Sequence, residues 1–454
     1  MKKNLTMKQY LTVGSLLFGL FFGAGNLIFP VLMGQLAGNQ TPLATIGFIV
    51  TGVGLPFLGI LAIGFSESQG IYDLASKASK GFGLFFTIAL YLTIGPFFAL
   101  PRTATVSFEV GFAPYLNAQQ RSLWLLVFSI IFFLLAWRLS LNPSKMMLWI
   151  GKILNPLFLL FLSALILISF IRPMGNIQDI PADPSYQQPF FTGFIEGYNT
   201  MDVLAALAFG IIIVKAIQQL GIHEPKQIAL DTLKSGIFTV VLMAVIYGSL
   251  TFIGATSRHQ MATAPNGGVA LNQIANYYFG SYGVILLATI ITLACLKTAI
   301  GLISACSETF HELFPNISYR QFVHLFSLLG GLIANVGLSS IILIATPVLS
   351  FLYPLAISLI FLAFADPFFK SKKKTVYRVT IWVATIFAVI DALKVITTKI
   401  MIIPAMVTSF DKLDSILPLA SVGMAWLIPV VVTLCGMTIV GKKNSVGSKI
   451  KKAL

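Results

Sequence analysis

Long apolar stretches separated by short polar or charged tracts run the length of the chain, at 9–36, 42–65, 82–112, 121–139, 146–171, 190–218, 229–256, 280–306, 320–338, 341–364, 377–397 and 416–440. About 20 residues of helix cross a hydrocarbon core of about 30 Å. The pattern therefore predicts an all-α polytopic membrane protein of about twelve spans, with no room for a sizeable soluble domain. The shallowest interruption lies between Gly337 and Ser340, where Asn335, Gly337, Ser339 and Ser340 are the turn signals. One continuous helix there would leave eleven spans. The tracts 173–193 and 257–278, rich in Pro, Asn, Gln or Gly, read as outer loops that cap the bundle. No tandem repeat with a period of about 20–50 residues is visible.

Charge placement decides between the two counts, because short cytoplasmic loops hold most of the positive charge. With twelve spans and an inner N-terminus, 22 of the 30 Lys and Arg residues fall inside and 6 outside; Arg102 and Lys297 remain within spans. Eleven spans would put the 370–378 cluster outside. Twelve spans with both termini cytoplasmic is the expected topology.

The composition is 57% hydrophobic and 10% charged with mean hydropathy +0.90, where soluble domains carry about 25% charged residues. A water-soluble fold is excluded, and phosphate loops, dinucleotide folds and extramembrane catalytic domains become unsuitable with it. The net charge of +15 follows from topology rather than nucleic-acid binding, since the aromatic residues lie in apolar runs and not between basic ones. Cys295, Cys306 and Cys435 lie inside apolar segments without CxxC spacing, and His223, His259, His311 and His324 form no HxxxH pair. Neither a disulfide framework, a metal centre nor a histidine proton relay is indicated. The apolar run after Met1-Lys2-Lys3 exceeds the ~7–15-residue core of a signal peptide and reads as an uncleaved first helix.

Two segments carry helix breakers at mid-span. The first contains Phe22-Gly23-Ala24-Gly25-Asn26, with Pro30 four residues on; the sixth contains Glu196-Gly197-Tyr198-Asn199-Thr200-Met201-Asp202. Broken backbone in a membrane persists where it lines a cavity or is covered by protein. A glycine-rich break on its own is also what a small-residue packing face looks like. The sixth comes five helices after the first, an odd number, so they enter from opposite sides. Matching interruptions in inverted halves point to a midplane binding site in a secondary transporter, with half-helix amides facing an anion and freed carbonyls facing a cation.

The first break, the string Gly95-Pro96-Phe97-Phe98-Ala99-Leu100-Pro101-Arg102-Thr103-Ala104 and the run Gly197-Tyr198-Asn199-Thr200-Met201-Asp202 resemble the bacterial branched-chain amino acid transporters of the BrnQ (LIVCS) family. The resemblance covers essentially the whole chain. It implies uptake of Leu, Ile and Val across the bacterial cytoplasmic membrane, coupled to sodium or protons by alternating access, with no cofactor beyond that ion. It also implies a LeuT-like fold of five plus five inverted helices, here 1–172 and 190–365, then two further helices at 376–440 and a basic tail at 441–454. An amino acid's carboxylate then fits the amides of Ala24 and Gly25, with Gly23 and Asn26 beside them. Its ammonium fits the carbonyls around Gly197, Tyr198, Asn199 and Thr200. Another small zwitterion is the alternative substrate. The rival class, a polytopic membrane enzyme such as a lipid-linked transferase, needs a metal-binding or paired-acid motif at a loop, which the sequence lacks. The oligomeric state is left open.

Charged residues inside membrane segments are functional candidates by default. Pro96 and Pro101 kink the third segment. Arg102 follows at its outer portion with Glu109 two turns on, so the two form either a structural pair or an outer gate. Asp202 adjoins the sixth break, as a coupling-ion ligand or a helix cap. Asp391 and Lys394 read as a surface pair at the outer end of the eleventh segment. In LeuT-like transporters a sodium is held by the broken first helix and an i, i+3, i+4 set of the eighth, which here corresponds to Ala294, Lys297 and Thr298. Lys297 stands where a hydroxyl ligand is expected, roughly 22 Å deep. The coupling set is thus Asn26, Asp202, Ala294, Lys297 and Thr298, with Lys297 either a proton carrier in place of sodium or a fixed charge pointing elsewhere.

Overall fold

The computed structural model describes residues 5–23, 25–141, 146–369, 373–400, 410 and 412–437, and every regular element among them is helical. Ala24, Lys2, Lys3, Lys145, Lys370, Lys372 and the basic tail 441–454 lie outside the described residues. The first segment is split into α1 (Met7–Phe21) and α2 (Gly25–Ala37). The second comprises α3 (Thr41–Ile49) and α4 (Leu55–Phe65), and the short helix α5 (Ile71–Ser76) follows in the loop. The third is α6 (Lys80–Leu92) and α7 (Ala99–Gly111); α8 (Ala118–Ser140) and α9 (Met146–Ile171) are the fourth and fifth. The sixth is again split, into α10 (Pro189–Glu196) and α11 (Asp202–Gln219). Then come α12 (Pro225–Ser257), α13 (Gly267–Leu313), α14 (Tyr319–Ala334), α15 (Leu338–Ala365), α16 (Lys373–Val395) and α17 (Leu427–Met437).

Eleven of the twelve predicted segments thus coincide with a helix or a broken helix, and the twelfth, 416–440, is matched by α17 only over Leu427–Met437. The shallow cut is real: α14 ends at Ala334, and Gly337 adopts φ 88°, a conformation only glycine reaches cheaply, before α15 begins. One loop reading needs correction. The tract 257–278 is not loop throughout, because Asn266 caps a helix by accepting from the Val269 amide at 3.0 Å and Leu271, Ile274 and Ala275 give it a buried apolar face. The chain turns at Gly280 (φ 61°) and continues as the eighth segment. The cap is tied down by Asn272, which donates to the Val110 carbonyl at the end of α7 at 2.6 Å.

Backbones meet directly at two crossings. A Cβ on Gly34 of α2 would strike the Thr251 carbonyl of α12, and one on Gly254 of α12 would strike the Val31 carbonyl of α2. The same arrangement joins α3 to α10, through Gly47 against the Phe190 carbonyl and Gly193 against that of Ala44. In lipid, helices gain from such close van der Waals approach because no hydrophobic force drives them together. α7 lies along α13, and α8 packs on α14. On its outer face α8 exposes Leu123, Ile131 and Leu134, a surface suited to acyl chains.

Candidate functional site

The two breaks meet at the centre of the bundle. In the first, α1 stops at Phe21 and Phe22 turns to extended backbone; the Asn26 amide then donates to the Gly23 carbonyl at 3.2 Å as α2 starts. Pro30 has no amide to give, which leaves the Asn26 carbonyl without its helical donor. In the sixth segment the 3₁₀ turn Gly197–Thr200 leads to Met201, held at φ 63° and ψ 13° in the left-handed region. A non-glycine residue there costs on the order of 1–3 kcal/mol, typical of backbone over-determined by a functional site. The Thr200 hydroxyl closes the turn by donating to the Gly197 carbonyl at 2.9 Å and accepting the Asp202 amide at 3.3 Å.

Asn26 and Asp202, both buried, join the breaks. The Asn26 amide nitrogen donates to the Asp202 carboxylate at 2.8 Å and to the Phe21 carbonyl, the last of α1, at 3.1 Å. Tyr247 of α12 is hydrogen-bonded to Asn26 and donates to the same Asp202 oxygen at 3.1 Å. The α11 N-terminus adds its own favourable field to the Asp202 carboxylate.

Arg102 of α7 occupies the space between the breaks. Gly95 is non-helical (φ −89°, ψ −125°), and with Pro96 it separates α6 from α7 and lets the third segment bend toward the centre. The guanidinium donates to the Asn199 carbonyl at 2.6 Å and to the Thr200 carbonyl at 3.3 Å, and lies 5.0 Å over the Phe29 ring. It also covers Gly25, where a Cβ would stand 2.9 Å from Arg102 Nη2. Arg102 is 5% exposed. The pairing with Glu109 is therefore corrected: among the described residues no ion pair joins them, because the orphan carbonyls of the sixth break hold the guanidinium. Glu109 instead packs beside Gly268 and Asn266 of the outer cap.

α13 brings the eighth-segment set to the first break. A Cβ on Gly23 would lie 3.8 Å from Thr298 Cγ2 and 3.9 Å from Asn26 Oδ1, and the Thr298 hydroxyl donates to the Ala294 carbonyl at 3.0 Å. Lys297 is half-buried in the same turn. Asp391 and Lys394 are not a surface pair: Asp391 is 3% exposed, while Lys394 binds Asp414 at 2.6 Å. Sequence reading missed Tyr247 and also Tyr353, whose ring stacks on Tyr198 at 4.0 Å between centroids. A lone hydroxyl within an apolar run was the available signal for both.

Two half-helices opposed at one depth, tied by a buried Asn–Asp–Tyr cluster and bridged by a guanidinium, are the arrangement of a membrane transporter of the LeuT-like fold. Solved structures of that fold agree. The inward-facing nucleobase-cation-symport-1 family transporter Mhp1 matches with TM-score 0.60 at 14% identity, covering 96% of this chain and 91% of that one. MhsT in complex with L-phenylalanine matches with TM-score 0.56 at 16% identity, covering 88% and 100%. Residues 6–444 match the family model described as branched-chain amino acid transport protein, and the chain belongs to that family. It is 46% identical to the branched-chain amino acid permease BrnQ of Bacillus subtilis (strain 168) over 96% of this chain and 98% of that one. It is 45% identical to BrnQ of Lactobacillus delbrueckii subsp. lactis over 97% and 98%, and 38% identical to the branched-chain amino acid transport system 3 carrier protein of Pseudomonas aeruginosa over 96% of each.

Proposed function

We propose that this branched-chain amino acid permease takes up Leu, Ile and Val with a coupling cation by alternating access, binding the amino acid between its two helix breaks. The observation that carries the reading is the seating of Arg102. Two of its five donors hold the sixth break, and the guanidinium also lies against Gly25, where the α2 N-terminus favours an anion. The substrate carboxylate binds there, with the Gly25 amide and Arg102 as its partners, and Gly23 supplies close backbone approach. The ammonium takes the second lone pairs of the carbonyls at Gly197, Tyr198, Asn199 and Thr200. Asn26 and Asp202 fix the relative position of the two halves, so binding on one side is felt on the other. Arg102 thereby acts at the centre of the pathway, and Glu109 with the outer cap closes its outer end.

The contact pattern supports the five-plus-five reading, since α2 packs on α12 as α10 packs on α3, and α1 and α11 answer each other likewise. We assign the repeats to 1–172 and 190–365, the added helices to 376–440 and the basic tail to 441–454, with both termini cytoplasmic in the bacterial inner membrane. For the ion, the turn holding Ala294, Lys297 and Thr298 lies beside Gly23. An ammonium in that turn replaces sodium by its own charge, and its loss and recovery of a proton couples uptake to protons.

Leucine uptake into proteoliposomes under separately imposed sodium and proton gradients tests this. Wild-type uptake should follow the proton gradient alone, and Lys297→Ser should lose that drive and gain sodium dependence. Wild-type uptake that needs sodium and ignores an imposed proton gradient overturns the assignment.

A further inference from the structure

The two helices beyond the ten-segment core reach the sixth break. Tyr198, in the turn whose carbonyls hold Arg102, points its hydroxyl toward Trp426 just before α17 and toward Asp391 of α16, and the Ala425 amide faces the same carboxylate. Asp391 Oδ2, Trp426 Nε1 and the hydroxyls of Tyr198 and Tyr353 are all buried with no hydrogen-bond partner. Tyr353 and Trp426 are fully buried, and Tyr198 and Asp391 are each 3% exposed. Asp391 Oδ2, Trp426 Nε1 and the Tyr198 hydroxyl lie in one place, and three such atoms together are rare in a folded interior, where nearly all such groups are paired; the Tyr353 hydroxyl faces Thr200 and Asp202 instead.

The charge count sharpens the point. Lys394, one turn beyond Asp391, places its ammonium on both Asp414 oxygens at 2.6 and 2.7 Å and on the Ala420 carbonyl at 2.8 Å. These fill all three of its donors, so none remains for Asp391. Two carboxylates therefore share one ammonium. The other nearby charges, Glu196 and Lys399, face each other. The cluster carries one uncompensated negative charge, which buried surroundings do not tolerate. The Ala425 amide faces the Asp391 carboxyl group, and the Trp426 indole N–H faces the Tyr198 hydroxyl.

We propose that Asp391 is a proton-binding site that acts on the sixth break through Tyr198, so that its protonation state sets substrate affinity. The neutral acid leaves Lys394 on Asp414, as in the arrangement described. On losing its proton, the carboxylate draws the Tyr198 hydroxyl as a donor and competes with Asp414 for Lys394. Tyr198 carries that change into the turn Gly197–Thr200 and so to Arg102. By linkage, any difference in proton binding between free and substrate-bound protein appears as a pH-dependent leucine affinity.

The test is equilibrium leucine binding to the purified full-length protein from about pH 5.5 to about pH 8.5. It rests on the proposed substrate only for its ligand and uses no ion gradient, so failure of the Lys297 assignment leaves it intact. Wild-type affinity should change at least about threefold across that range. Compared in a Lys297→Ser background, which removes any pH dependence that Lys297 itself adds, Asp391→Asn should hold the acid-limit affinity at every pH. Asp414→Asn frees Lys394 for Asp391, keeps it ionised and should hold the alkaline-limit affinity. Should Asp391→Asn yield no folded protein, Asp414→Asn alone decides. A pH-independent wild type, or the Lys297→Ser pH curve in the folded variants, overturns the proposal even where thermal stability falls.

Discussion

A single methyl group on Gly25 tests the central arrangement. In Gly25→Ala the new Cβ would stand 2.9 Å from Arg102 Nη2, 3.1 Å from Phe29 Cε2 and 3.3 Å from Arg102 Cζ. The Phe29 ring is held in the core, so the guanidinium must move, by roughly half an ångström to restore an ordinary contact of about 3.5 Å. Its bond to Asn199, at 2.6 Å, survives such a shift, but its bond to Thr200, already 3.3 Å, does not. Losing one hydrogen bond from a charged donor costs about 1.5–3 kcal/mol, or about 10- to 150-fold in affinity. Leucine binding to purified protein measures this, and Gly248→Ala serves as the control, because a Cβ there meets nothing within 4 Å. Affinity of Gly25→Ala within about threefold of wild type, or an equal loss in Gly248→Ala, would refute the role assigned to Arg102.

Tyr247→Phe removes one of the two side chains donating to Asp202 and should weaken leucine binding by about tenfold or more while lowering the melting temperature, both read on detergent-purified protein. Gly254→Val drives a side chain into the Val31 carbonyl and should abolish folded yield by size-exclusion chromatography, whereas Gly301→Val, with open space around it, should not. Retained yield in Gly254→Val would show that α2 and α12 can separate.

The breaks were legible because breaker residues at mid-span have no cheap alternative in lipid: Gly23, Gly25 and Pro30 in one segment and Gly197 with Asn199 in the other announce themselves by composition. The twelve-segment layout was legible from the apolar pattern, except at the shallow cut around Gly337, where the turn residues left eleven or twelve spans open and the placement of Lys and Arg decided. What failed was partner choice. Arg102 and Glu109 share a helix face by spacing, yet the guanidinium turns inward, because the bend at Gly95 and Pro96 carries Arg102 against carbonyls freed by a break nearly a hundred residues away. Asp391 and Lys394 show the same limit. Their spacing suits a pair, but Asp414 arrives from the next segment and takes the ammonium. Periodicity along one helix records which positions are neighbours, and it carries no information about which acceptor another helix will bring.

The glycine crossings also determine how the molecule can change shape. Between α2 and α12, and between α3 and α10, one backbone rests on another with no side chain in between. Such a joint has no rotamers to rearrange, and sliding would press a Cα against a carbonyl within a fraction of a helical turn. Each pair therefore travels as one body. The compliance of the molecule is concentrated instead at the break residues, Phe22 and Gly23 on one side and Gly197 to Met201 on the other, the residues proposed to face the amino acid. On the proposed binding mode, hinge and binding site are made of the same backbone, so occupying the site would stiffen the hinge directly, with no intermediate relay.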